Sequence, residues 1–450
     1  MRIFPPALDI EPTEGFAPEK DIFGRLELGK GLANLVGTAS DPLVIAVDGQ
    51  WGSGKTTFLK MWSGLLRNDG FPVIYFDAFE HDCVDDAFLA VAGEIIALVK
   101  DKKKAGTAKG KRFLQKAIKA GRVIAKAGVR IGAKAATLGA LDGTELSDIA
   151  DDVGDAMSDL TDTYLGELLT AREKERDTVE EFRQALSDLP NLLKAGTEGD
   201  AVKPLIFILD ELDRCRPTFA LEILERVKHF FSVGNVHFVL GVNAAQLQNS
   251  VVATYGPTID GAKYLQKFIN VMFFLYDKAD NRRERTAKKF VNYLTNAMEF
   301  DQQDELVVTA TSIIGDIAIQ RDMSLREIER VMTTFAIALS YTPKNYFRPA
   351  VILAGLAIIK VVAPEFYVKA KRGTLIYEEV KSILLLDKLD DQDGRRTDWV
   401  KKWWRFSTDG IADESFKEAM HRLEWDYNIH DGKVIVPLMA NDVIDRFAPR

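Results

Sequence analysis

DGQWGSGKTTF, Asp48–Phe58, lies between the apolar run Leu43–Val47 and the mixed stretch that begins at Leu59. Strand, glycine loop, lysine, two hydroxyls and helix, in that order, describe a phosphate-binding loop. Gly49, Gly54, Lys55 and Thr56 fit G-x-x-x-x-G-K-[ST]. Glycines let successive backbone N–H groups turn inward around phosphate oxygens, where a side chain would collide. The helix that follows points its positive end at the same place. Gln50, Trp51, Gly52 and Ser53 complete the loop and Thr57 follows it, so 49–57 is the expected nucleotide-binding segment. Lys55 is expected to reach the β- and γ-phosphates of a bound nucleotide, and the Thr56 hydroxyl to join a Mg²⁺ shell. A glycine-rich turn without a ligand is the alternative.

The second half of such a site is LIFILDELDRC, residues 205–215. Asp210 ends an apolar run, which puts its carboxylate at the carboxyl edge of a sheet, where it can hold magnesium through water. Glu211 follows and can orient and polarise an attacking water. A small-molecule kinase must exclude water and gains nothing from that glutamate. A GTPase would carry Asn/Thr-Lys-x-Asp to read guanine, and the nearest stretch, DKAD at 277–280, has Asp where the Asn should be. ATP hydrolysis is favoured on both counts. The next apolar run ends in Asn243; in additional-strand ATPases a polar residue there senses the γ-phosphate or the water, and capping of the following helix is the competing reading.

Around these motifs the pattern alternates. Leu43–Val47 and FPVIYFDAF (71–79) read as strands buried on both faces, each followed by a helical stretch, and the alternation predicts an α/β parallel sheet. It breaks after residue 99 and resumes at PLIFILDELD (204–213), followed by VHFVLGVN (236–243) and FINVMFFLY (268–276). From Asn281 onward the periodicity is helical, with KVIVPLM (433–439) the one late strand candidate. The expected organisation is a P-loop core from 1–99 and 199–285, a charged helical insertion over 100–198, a helical lid over 286–345 and a mainly helical C-terminal region over 346–450.

Bulk composition excludes several classes. Among 450 residues, 59 basic against 67 acidic give a net charge of −8, which argues against chain-wide attraction to nucleic acid. Two cysteines, Cys83 and Cys215, make a disulfide framework implausible and fit a reducing cytoplasm. Five histidines are scattered singly with no zinc-type spacing. The N-terminus lacks a secretory h-region, and the longest apolar run, Ala350–Ala363, is too short to span a bilayer and is broken by Lys360, so it reads as a buried helix.

The insertion is biased in charge. Residues 100–134 hold thirteen basic side chains and one acid, and 135–163 hold eight acids and no base. Over 111–134 the cations recur every three or four residues, as in a basic amphipathic helix. Three readings compete: packing on the acidic stretch or a subunit, lying on an anionic membrane, or gripping nucleic-acid phosphates. WVKKWWRF (399–406) mixes aromatics and cations as single-strand binders do, though Trp399 and Trp403 would share one face of a core helix.

GQWGSGKTTFLKMW, IYFDAFEHD, IFILDELDRCRP, YLQKFINVMFFL and SLREIERVMTTF occur in the order of the KAP-family P-loop NTPases, which the chain resembles from about Asp21 to Ala338. That family is named for a neuronal ankyrin-repeat membrane scaffold and a plasmid phage-exclusion protein. Trp51 and the Asp-Glu-Leu-Asp-Arg-Cys string are its most specific letters here. The resemblance implies an additional-strand sheet of order 5-1-4-3-2 and a helical insertion, in many members a pair of membrane spans. The insertion here holds no run apolar enough to cross a bilayer, and Glu211 stands where relatives often carry Asp. The resemblance also implies a lid arginine that meets the γ-phosphate; Arg330, in LREIERV, is the leading candidate, with Arg326, Arg214 and Arg216 behind it. The expected function is a Mg²⁺-dependent ATPase switch in anti-phage defence. It would be cytoplasmic or peripheral at the inner membrane, homo-oligomeric and paired with an effector protein. A nucleic-acid-dependent ATPase and an ATP-binding membrane-surface scaffold are the alternatives.

Overall fold

The structure, a computed structural model, describes all residues except 83–86, 122–175, 195–201, 276–279, 344–345, 390–394, 413 and 447–450. DKAD apart from Asp280, the acidic half of the insertion, and the basic amphipathic stretch from residue 122 to 134 therefore lie outside the described residues. In chain order the sheet core contains α1 (Leu26–Thr38), β1 (Val44–Asp48), α2 (Lys55–Asn68), β2 (Val73–Asp77) and α3 (Ala87–Asp101). Helices α4 (108–121) and α5 (176–187) belong to the insertion. Then come α6 (Leu189–Leu193), β3 (Leu205–Asp210), α7 (Pro217–Arg226), β4 (Val236–Val242), α8 (Ala244–Tyr255), α9 (Gly261–Leu265) and β5 (Val271–Phe274).

The five strands pair in parallel in the order β2-β3-β4-β1-β5, the order the family resemblance implies. Every residue of β3 and β4 is buried, which is why these strands read as unbroken apolar runs. Register sets Asp77 beside Asp210, Asp210 beside Gly241 and Asp48 beside Val242, so the strand ends align along one carboxyl edge. Ligands bind outside that edge in open α/β sheets.

Each face of the sheet has its own core. On one face Leu32 and Val36 of α1 pack with Phe58, Leu59, Trp62 and Leu66 of α2. Full burial of each aliphatic or Phe side chain is worth about 1.5–3 kcal/mol, so α2 is anchored firmly behind the loop. On the other face Phe88, Phe182 and Phe238 pack on Phe231, stacked, edge-on and tilted respectively, and α4 contributes Phe113, Ala117 and Ala120 to the same core. The apolar side of the basic helix is thus used internally over 108–121, leaving its cations outward.

The rest is helical: α10 (Asp280–Ala297), α11 (Glu305–Gln320), α12 (Leu325–Tyr341), α13 (Ala350–Val362), α14 (Pro364–Arg372), α15 (Tyr377–Ile383), α16 (Arg395–Asp409), α17 (Lys417–Tyr427) and α18 (Ile435–Leu438). They share a single apolar core in which α13 is the most completely buried element. No helix among the described residues is long and apolar enough to cross a membrane. One sequence expectation fails here, and another, the core helix in which Trp399 and Trp403 share a face, is met with a different tryptophan most deeply buried. KVIVPLM is not a strand, because Ile435, Val436, Met439, Ala440 and Val443 are buried at helical spacing in the C-terminal core. In WVKKWWRF the fully buried tryptophan is Trp404; Trp399 is 40% exposed, and Trp399 and Trp403 pack on Phe416.

Candidate functional site

β1 delivers the chain to the sheet edge, where the Asp48 carboxylate accepts a hydrogen bond from Ala244 N–H at 2.8 Å and so ties the loop's start to α8. Gly52 and Gly54 have φ of 75° and 80°, the left-handed region in which a side chain is strained. A Cβ on Gly52 would also come within 2.9 Å of Arg326 Cβ. Gly54 is the N-cap of α2, so the first-turn N–H groups of α2 face the loop's interior. Lys55 lies beneath the loop and donates through Nζ to the carbonyls of Gly49 at 2.6 Å and Gln50 at 3.1 Å. Burial pulls its pKa down, while the carboxylates of Asp213, Asp210 and Asp48 oppose that fall.

Across the cradle, Asp210 is 1% exposed at the end of β3. Its carboxylate accepts from the Tyr75 hydroxyl at 2.6 Å, from the Glu211 backbone N–H at 2.9 Å and from the Thr56 hydroxyl. Burial pushes its carboxyl up, and these three bonds pull it back down. β4 must pass close by: a Cβ at Gly241 would lie 2.3 Å from Asp210 Oδ1, so glycine is required there. Thr56 and Asp210 bring two hard oxygen donors together, the donor set that Mg²⁺ takes when phosphates and water supply its remaining ligands. Among the described residues no group of three His, Cys, Asp or Glu side chains could hold a metal unaided.

Glu211 takes a left-handed φ of 60° as the chain leaves β3 for the 3₁₀ turn Leu212–Arg214. Its Oε1 lies 2.7 Å from Arg214 Nη1. Burial raises the Glu211 carboxyl and the Arg214 charge opposes that rise. In the same turn the Asp213 carboxylate accepts from the Trp51 indole N–H at 2.5 Å. Trp51, which phosphate chemistry does not require, links the loop to the Asp-Glu turn.

A cavity of about 440 Å³ opens over these groups. The loop from Trp51 to Thr57, Asp210, Glu211 and Arg214 form its floor, and four remote segments form its walls, the N-terminal stretch Pro5–Leu8 among them. The segment before α1 contributes Ile22, Phe23 and Arg25; α10 contributes Phe290 and Tyr293; α12 contributes Leu325 and Arg326. The Phe23 and Phe290 rings are 6.0 Å apart, and the Arg25 guanidinium lies 4.6 Å over Phe23 while donating to the Ser53 and Gly54 carbonyls at 3.4 Å. Nothing in the sequence reading pointed to Arg25. Its local signal is Asp21, whose carboxylate accepts from the N–H groups of Arg25 and Leu26 and starts α1 there.

The start of α12 is equally defined. Ser324 and Glu327 form a reciprocal capping box, a device worth about 1 kcal/mol. Leu325 N–H then donates to the Gly52 carbonyl at 3.0 Å. This docks the helix end on the loop and puts Arg326 on the cavity wall. Arg330, the lid arginine expected from the sequence, lies one turn further along and lines a neighbouring groove with Phe4 and Lys360. Asn243 caps α8, accepting from Gln246 N–H at 3.4 Å, and is not among the cavity's lining residues. Gly49 and Gln50 act through their carbonyls on Lys55 and face a second cavity on the other side of the loop. Arg216 pairs with Asp82 at 3.0 Å, outside the cavity lining.

Residues 29–342 match the model of the KAP family P-loop domain. An uncharacterized protein of Methanocaldococcus jannaschii is 33% identical over 73 residues, 16% of this chain and 38% of that protein, so the match spans well under half of the relative's length. Among solved structures, the ORC2 protein of Aeropyrum pernix in ADPNP–ADP complexes aligns over 94% of this chain and 88% of that chain, at 12% identity and a TM-score of 0.39. The replication initiator DnaA bound to AMPPCP and single-stranded DNA aligns over 94% and 93%, at 11% identity and a TM-score of 0.24.

Proposed function

The chain belongs to the KAP family of P-loop proteins, and from that premise we propose that it is a Mg²⁺-dependent ATPase whose cycle works a conformational or oligomeric switch. The observation that carries the reading is the placement of Glu211 immediately after a buried Asp210 that is hydrogen-bonded to Thr56, on the floor of the same cavity as the loop. The triphosphate would lie along Gly49–Thr57, with Lys55 Nζ moving from the loop carbonyls to the phosphates. Thr56 and Asp210 would hold Mg²⁺, which when bound neutralises phosphate charge. The slot of Ile22, Phe23, Phe290 and Tyr293 would take the base, since flat apolar walls suit a purine. Glu211 would accept a proton from the attacking water as the water oxygen bonds to the γ-phosphorus and the bond to the bridging oxygen breaks, giving ADP and inorganic phosphate. Arg326 would supply positive charge from the lid side, in place of Arg330.

Loop and lid helix are joined directly by Leu325 N–H and the Gly52 carbonyl, so phosphate held by the loop and Arg326 would bias the packing of the whole helical part. We carry forward from the sequence the expected division into core, insertion, lid and C-terminal region, and Asn243 as a γ-phosphate sensor. A homo-oligomer, an effector partner, an anti-phage role and residence in the cytoplasm or at the inner membrane surface belong to the same proposal. A nucleic-acid-dependent ATPase is the second reading. It is favoured over an ATP-binding membrane-surface scaffold because α4 buries Phe113, Ala117 and Ala120, the apolar face a lipid interface would need, while Lys109, Lys111 and Arg112 are exposed. Phosphate release from ATP, with and without DNA or RNA, tests both: no release by wild type sinks the ATPase, and no stimulation by either polymer sinks the second reading.

A further inference from the structure

We infer that Arg214 is a positioning residue for the hydrolytic glutamate, one guanidinium shared between the Glu211 carboxylate and the terminal phosphate of ATP. The inference rests on the ATPase reading and adds to it how arrival of the γ-phosphate frees the base.

The turn after β3 makes the pairing local and firm. Arg214 N–H donates to the Glu211 carbonyl at 3.0 Å, closing the 3₁₀ turn, and the same two residues meet again through Nη1 and Oε1 at 2.7 Å. The neighbouring acids are engaged elsewhere: Asp210 with Tyr75 and Thr56, Asp213 with the Trp51 indole. Glu211 is therefore the carboxylate that holds Arg214. A glutamate paired with a guanidinium is a weaker base, because the adjacent positive charge favours the ionised carboxylate over its protonated form, and is a poorer acceptor for a water proton.

Arg214 is nonetheless placed to leave. Its side chain is 31% exposed against 15% for Glu211, and it lines the same cavity as Lys55, Thr56 and Asp210. A triphosphate brings more negative charge into that cavity than one carboxylate holds, and guanidinium groups bind phosphate bidentately. The γ-phosphate would draw Arg214 off Glu211 at the moment a base is needed. ADP lacks that group and would leave the pair closed. Hydrolysis is thereby tied to a correctly seated triphosphate.

The competition has a signature in binding. Glu211→Gln removes Arg214's anionic partner, so ATP affinity should rise about tenfold while ADP affinity stays within about twofold. Arg214→Ala should lower ATP affinity about tenfold and bring the ATP and ADP affinities close together. In the double variant Glu211→Gln/Arg214→Ala the gain from Glu211→Gln should vanish, because no guanidinium remains to be released. Arg214→Lys, which keeps the charge without the fork, should lie between wild type and Arg214→Ala and covers the case in which the alanine variant does not fold. Equilibrium binding of ATP and ADP to the full chain in all five proteins reads this out. A gain that persists without Arg214, or an unchanged ATP-to-ADP ratio in both Arg214 variants, overturns the inference. Coupled binding with no wild-type turnover would fault the ATPase reading alone; turnover with uncoupled binding would fault the inference alone.

Discussion

The Trp51 indole N–H donates to the Asp213 carboxylate at 2.5 Å, joining the phosphate loop to the turn that carries Glu211. The two halves of the site are thus held by a side chain absent from the phosphate-binding consensus. Trp51→Phe keeps the ring and removes the N–H. It is expected to slow ATP turnover about tenfold, the value of a hydrogen bond to a charged group, with the fold intact. Steady-state phosphate release checks this, and an unchanged rate would make the contact incidental.

Lys55 is buried and its charge is disfavoured by burial. Lys55→Met should therefore leave the stability of the ligand-free protein unchanged or raise it. With ATP present the order reverses. Ligand at a hundred times its Kd stabilises a protein by about 2.7 kcal/mol, and that increment should be lost in Lys55→Met. Thermal melts with and without ATP compare the two; an equal ATP shift in both proteins would place the phosphates elsewhere.

Arg326 and Arg330 lie one helical turn apart and should differ sharply. Arg326 lines the nucleotide cavity beside Gly52, and Arg330 lines the neighbouring groove. Arg326→Ala is expected to lower kcat about a hundredfold, and Arg330→Ala by less than about twofold. Equal effects would argue for an arginine supplied between subunits.

His237 gives the stability a pH dependence. It is buried in β4, its Nδ1 accepts from Leu43 N–H at 3.1 Å, and burial holds its pKa below the ordinary histidine value. The unfolded chain takes up a proton as pH falls through about 6.5 while the folded chain does not, so stability should fall from about pH 6.5 downward. His237→Gln should flatten that part of the profile. Urea unfolding midpoints between pH 7.5 and 5.5 measure it, and an equal slope in the variant would assign the dependence to other groups.

What was legible in the sequence follows from local physics. β1, β3 and β4 are buried on both faces and so appear as apolar runs, and the loop and the Asp210–Glu211 pair are each contiguous. The walls of the cavity were not legible, because Arg25 and Phe290 come from segments that meet the loop only in three dimensions; Arg326 entered only as a candidate ranked behind Arg330. Asn243 shows the limit of position along a strand: an asparagine after β4 suits both sensing and capping, and its side chain is engaged as the cap of α8. The choice between Arg326 and Arg330 turns on helix phase relative to Gly52, which the capping box at Ser324 sets and periodicity alone does not.

The most direct test of the account is phosphate release from ATP and Mg²⁺ by wild type and by Glu211→Gln, measured alongside ATP retention. The account predicts turnover by wild type, loss of at least about a thousandfold in Glu211→Gln, and ATP still bound to the variant. Turnover that survives Glu211→Gln, or a wild type that binds ATP and never releases phosphate, would contradict it.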